Sequence, residues 1–287
     1  MPTSSCGIGP DLIGRLGTVG SVSWDERDVM LYALSVGAAQ SADDGQLRYC
    51  TENSEGHELR VLPTYGAVLA SAASSFPALP LDPVAVLHAA QRVTLLAPIP
   101  TRGDATVRSE VTDVYDRGQN AYVEVESTVA IEDRDVVVGT SLLFVRGGGG
   151  FGKGPVAPRP APKPAGPPSR SVLLTTQADQ ALLYRLNGDR NPLHSDPTFA
   201  RRAGFDVPIL HGLCTYGFAG RALLDLVCDG RVERFSSMSA RFRGPVLPGG
   251  TLVVELWEQQ AGGAAFRVLD DDGLSVLDDG WIAVAAP

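Results

Sequence analysis

Apolar residues return along this chain at two periods, and the two periods mark out its elements. From position 213 to 227 they recur every three or four residues, with Leu213, Tyr216, Gly220, Leu223, Leu224 and Val227 on one stripe. That spacing predicts an amphipathic helix. Gly217, Ala219 and Gly220 thin part of the stripe, so the helix is expected to press close against a sheet. Two-residue alternation rich in β-branched side chains predicts strands over 237–242, 251–257, 265–269 and 280–285. Earlier in the chain, 105–114, 121–131 and 136–145 are longer runs of the same kind, with a turn at Tyr115-Asp-Arg-Gly118 between the first two. Asp196-Pro197 is a good cap and first-turn pair and Gly204 a stop, so 197–203 reads as a short helix.

The pattern occurs twice. Tyr32-Ala-Leu34 matches Tyr184-Arg-Leu186, Pro63-Thr-Tyr-Gly66 matches Pro208-Ile-Leu-His-Gly212, and Ala97-Pro-Ile-Pro-Thr-Arg-Gly103 matches Gly244-Pro-Val-Leu-Pro-Gly-Gly250. The last two matches lie near 146 residues apart and the first 152, as an internal duplication with small insertions requires. Each copy runs helix first and strands after: a central helix wrapped by an antiparallel sheet, an α+β architecture. From Gly147 to Arg170, seven glycines and seven prolines fill 14 of 24 positions. The prolines of 155–168 predict a semi-extended linker. The run Arg146-Gly-Gly-Gly-Gly-Phe-Gly152 fits either a linker or an ordered loop whose glycines admit a close ligand. Residues 1–146, 147–170 and 171–287 are thus expected to be a first domain, a linker and a second domain.

A chain of 287 residues, 44% of them hydrophobic, can bury a large core. No stretch approaches the roughly 20 continuous apolar residues of a membrane span, and the start lacks a basic segment followed by an apolar block, so no secretory leader is expected. Cys6, Cys50, Cys214 and Cys228 are scattered and read as the reduced thiols of a cytoplasmic protein. A net charge of −9 argues against nucleic acid as a partner. It leaves room for an anionic ligand met by a local basic patch. Arg201 with Arg202, and Arg241 with Arg243, are candidates, though such a pair is more often a solvated face.

Chemistry concentrates in one stretch. Of four histidines, His57 lies in a polar loop and His88 in what reads as an alanine-rich helix, and neither has a partner at useful spacing. His194 has one, following Asp189 by five positions across the stiff Asn191-Pro192 step. Proline biases Asn191 away from the helical region, so the backbone turns between carboxylate and imidazole, and Asn191 can fix the bend. Two such groups sharing one water form an acid–base pair, one withdrawing a proton from water while the other delivers one to substrate. A turn-forming aspartate and a satisfied loop histidine are the plainer alternative. His211-Gly212 favours the chemical reading. Gly212 opens the long helix, where free amides and the helix dipole stabilise a developing oxyanion, and a residue without Cβ lets a ligand carbonyl approach. Glycine at a helix start has a purely steric explanation too.

These residues carry a resemblance. Tyr184-Arg-Leu-Asn-Gly-Asp189-Arg-Asn191-Pro-Leu-His194-Ser-Asp-Pro-Thr-Phe-Ala200 resembles the signature of the MaoC-like (R)-specific enoyl-CoA hydratases, or hydratase 2. So do Gly204-Phe-Asp-Val-Pro-Ile-Leu-His-Gly-Leu-Cys-Thr-Tyr-Gly217 and Ala240-Arg-Phe-Arg-Gly-Pro-Val-Leu-Pro-Gly249. Leu31-Tyr-Ala-Leu-Ser-Val-Gly-Ala38, Val61-Leu-Pro-Thr-Tyr-Gly66 and Val145-Arg-Gly-Gly-Gly-Gly-Phe-Gly152 are similar to the first half of the two-hot-dog form, as in the hydratase part of peroxisomal multifunctional enzyme type 2.

The resemblance implies a double hot-dog fold and hydration of a trans-2-enoyl-CoA to the (3R)-3-hydroxyacyl-CoA, in fatty-acid or steroid side-chain β-oxidation. It places the catalytic water on Asp189 and His194, leaving open which is base and which acid. Asn191 would orient the loop and the Gly212 amide would bind the thioester oxygen. His211, Leu210, Arg241 and Arg243 are expected to contact substrate. No metal or redox cofactor is implied, coenzyme A entering only as part of the substrate, and a homodimer is expected. The first copy lacks the acid and the histidine at Ser35-Val-Gly-Ala-Ala-Gln40, so one active site per chain is expected. Residues 59–73 would be a wall for a long or bulky acyl group, or simply scaffold. The same site could dehydrate 3-hydroxyacyl thioesters in lipid synthesis. A thioesterase is disfavoured because 213–224 carries no carboxylate and Asp225 is near the helix end. A non-catalytic acyl-CoA binder is disfavoured by the intact Asp189 and His194.

Overall fold

Alternating strands and two unequal central helices build the same motif twice, and the computed structural model describes it over residues 7–40, 45–71, 76–79, 85–152, 165–259 and 262–285. The first half runs β1 (Gly20–Trp24), α1 (Glu26–Ser35), α2 (Tyr65–Ala70), β2 (Val86–Leu95), β3 (Gly103–Arg117), β4 (Asn120–Ile131) and β5 (Arg134–Val145). The second half repeats that order with one insertion: β6 (Arg170–Thr175), α3 (Gln180–Tyr184), the inserted α4 (Pro197–Arg202), α5 (Gly212–Cys228), β7 (Phe235–Phe242), β8 (Thr251–Gln259), β9 (Gly263–Leu269) and β10 (Ser275–Val284).

The two five-stranded sheets join edge to edge into one sheet of order β1-β3-β4-β5-β2-β7-β10-β9-β8-β6. The order is symmetric about the antiparallel β2–β7 junction, where Ala90 faces Arg241 and Val93 faces Met238. This is the double hot dog expected from the sequence. The matched tyrosines of the repeat meet at its centre, the Tyr32 and Tyr184 rings lying 6.3 Å apart.

Each expected strand falls inside an observed one except the last, expected over 280–285, which ends at Val284. The turn expected at 115–118 comes later, because β3 continues to Arg117. The last strand begins earlier than expected, at Ser275, because a bulge between Asp278 and Trp281 interrupts the alternation and holds Asp279 at a φ of 52°. His88 requires a correction: it lies on β2, not on a helix. Ala89 and Ala90 imitate helical composition, but Ala89 is bulged out of the ladder, His88 pairing with Leu143 and Ala90 with Leu142.

Helix α5 is buried from Cys214 to Leu224 on every face, not along one stripe. The first half covers the side away from the sheet, and a helix enclosed on all sides loses its amphipathic pattern. Cβ atoms on Gly217 and Gly220 would collide with Val36 and Thr64 respectively. The thin part of the helix therefore receives the first half; only Gly220 also faces the sheet, at Met238. Arg221, also buried, donates to the Val36 carbonyl (3.0 Å) and to Gln46 (2.7 Å), and Gln46 donates to Asp225 (2.6 Å).

The glycine run is an ordered loop. The Asp116 carboxylate accepts hydrogen bonds from the amides of Gly118, Gly150 and Gly152. Positions 153–164 of the expected linker, residues 72 and 73 of the expected acyl wall, and Cys6 lie outside the described residues. Cys214 and Cys228 are free thiols. No described helix is long and apolar enough to cross a membrane.

Candidate active site

The segment after α3 is folded by its own short polar side chains. Gly188 takes a φ of 119°, reversing the chain into Asp189. The Asn191 amide donates to Asp189 Oδ1 (3.1 Å), and the Leu193 amide donates to Asn191 Oδ1 (3.0 Å). Asn191 is extended, as a residue before proline should be, and Pro192 starts the turn that carries His194. The Asn191 side chain thus bonds the backbone of the turn that leads to His194.

The turn presents Asp189 to solvent and drives His194 inside. His194 Nδ1 lies 2.8 Å from the Ile209 carbonyl, so it is the protonated nitrogen and Nε2 carries the lone pair. Burial lowers the proton affinity of the ring, partly opposed by the Ile209 carbonyl and the Asp189 charge. His211 stacks on it, ring centroids 3.7 Å apart at 27°. Burial first, and His194 second, push the pKa of His211 down to about 4. His211 Nε2 donates weakly to the Asp189 carbonyl at 3.4 Å, and the Tyr184 ring closes the stack at 4.9 Å. Two neutral imidazoles in contact hold each other's planes.

One donor atom each from Asp189, His194 and His211 lies within 4.8 Å of the others. One water can bridge groups at that spacing; two imidazoles and a carboxylate are also donors a divalent cation accepts. Gly212, exposed, opens α5 just beyond His211, and no side chain caps the helix start. The glycine has a steric reason as well: an added Cβ would stand 3.0 and 3.1 Å from two carbons of the Phe242 ring.

Leu210, Arg241 and Arg243 are the other expected substrate contacts. Leu210 is a core residue, 2% exposed, whose amide donates to the Val246 carbonyl (2.8 Å) and pins the segment entering α5. Arg243 donates to Asp279 at 2.5 Å, and Arg241 lies 3.9 Å from the same carboxylate, so both arginines are tethered to the β10 bulge. Arg201 and Arg202 are exposed on the last turn of α4. Sequence reasoning missed Ile209, Tyr184, Phe242 and His88. Ile209 acts through its carbonyl, which leaves no side-chain signal; Tyr184 stood in the repeat, where its chemistry was not sought.

Residues 22–147 match the MFE-2 hydratase 2 N-terminal domain and residues 160–268 the MaoC like domain. The 3-hydroxyacyl-thioester dehydratase Y of Mycobacterium tuberculosis is 42% identical over 292 aligned residues, covering 97% of this chain and 99% of that one. The peroxisomal enoyl-CoA hydratase 2 of Arabidopsis thaliana is 35% identical over 253 residues, 82% of each chain. A crystal structure of a MaoC-like dehydratase from Phytophthora capsici superposes with a TM-score of 0.87 at 29% identity, covering 97% of this chain and 98% of that one.

Proposed function

The chain belongs to the MaoC-like hydratases in their two-hot-dog form, and from that premise we propose that it adds water reversibly to trans-2-enoyl-CoA thioesters, giving (3R)-3-hydroxyacyl-CoA. It is an enzyme of the hydro-lyase class. The observation that carries the reaction is that Asp189 and His194 each bring a donor atom within 4.8 Å of the other beside the uncapped start of α5, and in this reading Nε2 is the working nitrogen of His194 because Ile209 holds Nδ1.

A water between them donates one O–H to each group. Its oxygen attacks C3 as its proton moves to His194 Nε2, and the double-bond electrons shift through C2 onto the thioester oxygen. The Gly212 N–H, reinforced by the helix dipole, stabilises that oxyanion. The imidazolium then gives its proton to C2, and burial, by lowering the ring's proton affinity, makes it the stronger acid. Asp189 holds the remaining O–H throughout, so the water's hydroxyl ends on C3 and its proton on C2. His211 positions His194 and resists protonation itself.

The reverse sequence is a dehydration, which the name of the Mycobacterium relative favours as a second reading for this site. We assign the chemistry to 171–287, the acyl wall to residues 59–71 of the first half, and the join to 147–170. A homodimer acting in the cytoplasm, without metal or redox cofactor, completes the proposal.

Loss of enoyl-thioester ultraviolet absorbance, followed by chiral analysis of product, tests it with short, long and steroid-type enoyl-CoAs. Asp189→Asn and His194→Ala should each lower turnover by about 100- to 10,000-fold with unchanged circular dichroism. A folded protein that turns over no panel member, a (3S) product, or activity abolished by a chelator and restored by a divalent cation would each overturn the reading.

A further inference from the structure

The strand at the junction of the halves carries a first-half side chain to the second half's site. His88 stands beside the Ala89 bulge of β2, a distortion that re-aims neighbouring side chains. Its ring packs on Phe242, centroids 4.8 Å apart. Phe242 in turn covers the place where a Cβ on Gly212 would sit, 3.0 Å away. The Asp189 charge reaches His88 as well, though burial dominates and pushes its pKa down to about 4. His88 Nε2 is buried and has no hydrogen-bond partner, whereas buried polar atoms nearly always find one. The Ala90 carbonyl and the Gln91 side chain both favour the protonated ring. Burial keeps the ring neutral, and with its one proton on Nδ1 the unpartnered Nε2 is a lone pair in need of a donor.

An enoyl thioester has no donor of its own, and the O–H groups of the catalytic water are taken by Asp189 and His194. The nearest N–H in the substrate is the amide next to the cysteamine sulfur of the pantetheine arm. We propose that His88 is a substrate-contacting residue of this site, its Nε2 accepting a hydrogen bond from that amide N–H. The first half has lost the acid–base pair but still supplies part of the site that reads the thioester's carrier arm. Phe242 spaces the Gly212 amide, which takes the thioester oxygen, from His88, which takes the arm.

The inference rests on the acyl-thioester reading, and binding of unreactive butyryl-CoA, followed by calorimetry, separates the two. His88→Phe keeps a ring against Phe242 and removes the acceptor; His88→Gln keeps an acceptor near the Nε2 position. His88→Phe should bind about 3- to 10-fold more weakly, and His88→Gln should stay within about twofold of the unaltered protein. Equal affinity of His88→Phe and the unaltered protein, or equal weakening of both variants, would overturn the assignment. Should His88→Phe not fold, crotonyl thioesters of N-acetylcysteamine and of 2-mercaptoethyl acetate, which has oxygen for the N–H, make the same test on the unaltered protein. The amide compound should have the higher kcat/KM by about 3- to 10-fold, and equal values overturn the proposal. Failure to hydrate crotonyl-CoA would count against the hydratase reading alone, leaving the butyryl-CoA affinities to judge His88.

Discussion

The oxyanion role of Gly212 can be isolated by one atom. Gly212 is the first residue of α5, and His211 before it has φ −61° and ψ 136°, the backbone that a residue preceding proline adopts. Proline is accepted at this position because its missing N–H has no intrahelical partner. Gly212→Pro therefore deletes the proposed donor and leaves the helix standing. It also introduces a Cβ, and Gly212→Ala is the control, placing a Cβ in the same space 3.0 and 3.1 Å from Phe242 carbons while keeping the N–H. Both variants should lose about 1–3 kcal/mol of stability to that crowding, measurable by urea denaturation. A single oxyanion donor contributes about 2.7–4 kcal/mol to the transition state, so turnover of Gly212→Pro should fall about 100- to 1,000-fold below that of Gly212→Ala. The assay is absorbance loss on crotonyl-CoA, with butyryl-CoA affinity measured in parallel. Turnover of the two variants within about threefold, or a deficit lying wholly in affinity, would refute the oxyanion assignment, since a donor acting mainly on the transition state must appear in kcat.

Two further outcomes follow from burial. His194 must be neutral to accept the water's proton, and burial lowers its pKa below the ordinary 6.5. Activity should therefore be full above that lowered value and decline only as pH falls through it; an acid limb centred above 6.5 would contradict the base role. Gly217→Ala, whose Cβ would collide with Val36 and meet the Tyr32 hydroxyl at 2.8 Å, should cost about 1–3 kcal/mol in denaturation, and unchanged stability would mean the halves are packed less tightly there.

The repeat, the long helix and most strands of the second half were legible because period and punctuation are local properties. The Asp189-to-His194 turn was legible too, since proline and two short polar side chains encode it within six positions. What escaped depended on the other half of the chain. Ala89-Ala90 resembles helix until the bulge against β5 is seen, so His88 was set aside. Gly217 and Gly220 read as positions of close approach to a sheet, but the residues that fill them first, Val36 and Thr64, sit at helix ends far away in sequence. Arg241 and Arg243 read as a ligand patch or a solvated face, and neither reading shows Asp279, which reaches them only through β10 pairing with β7.

The β2–β7 junction has a consequence for assembly. Every other strand pair lies within one half, so each five-strand unit can form from its own segment, whereas the junction joins residues as distant in sequence as Ala90 and Arg241. Contacts of that separation form late. Until they do, β2 and β7 are two bare edges of complementary register, and a neighbouring chain offers the same edges. Newly made molecules at high concentration therefore face a choice between closing on themselves and exchanging halves with one another. Refolding yield should depend on dilution, and the junction, rather than the core of either half, is where the kinetic outcome is decided.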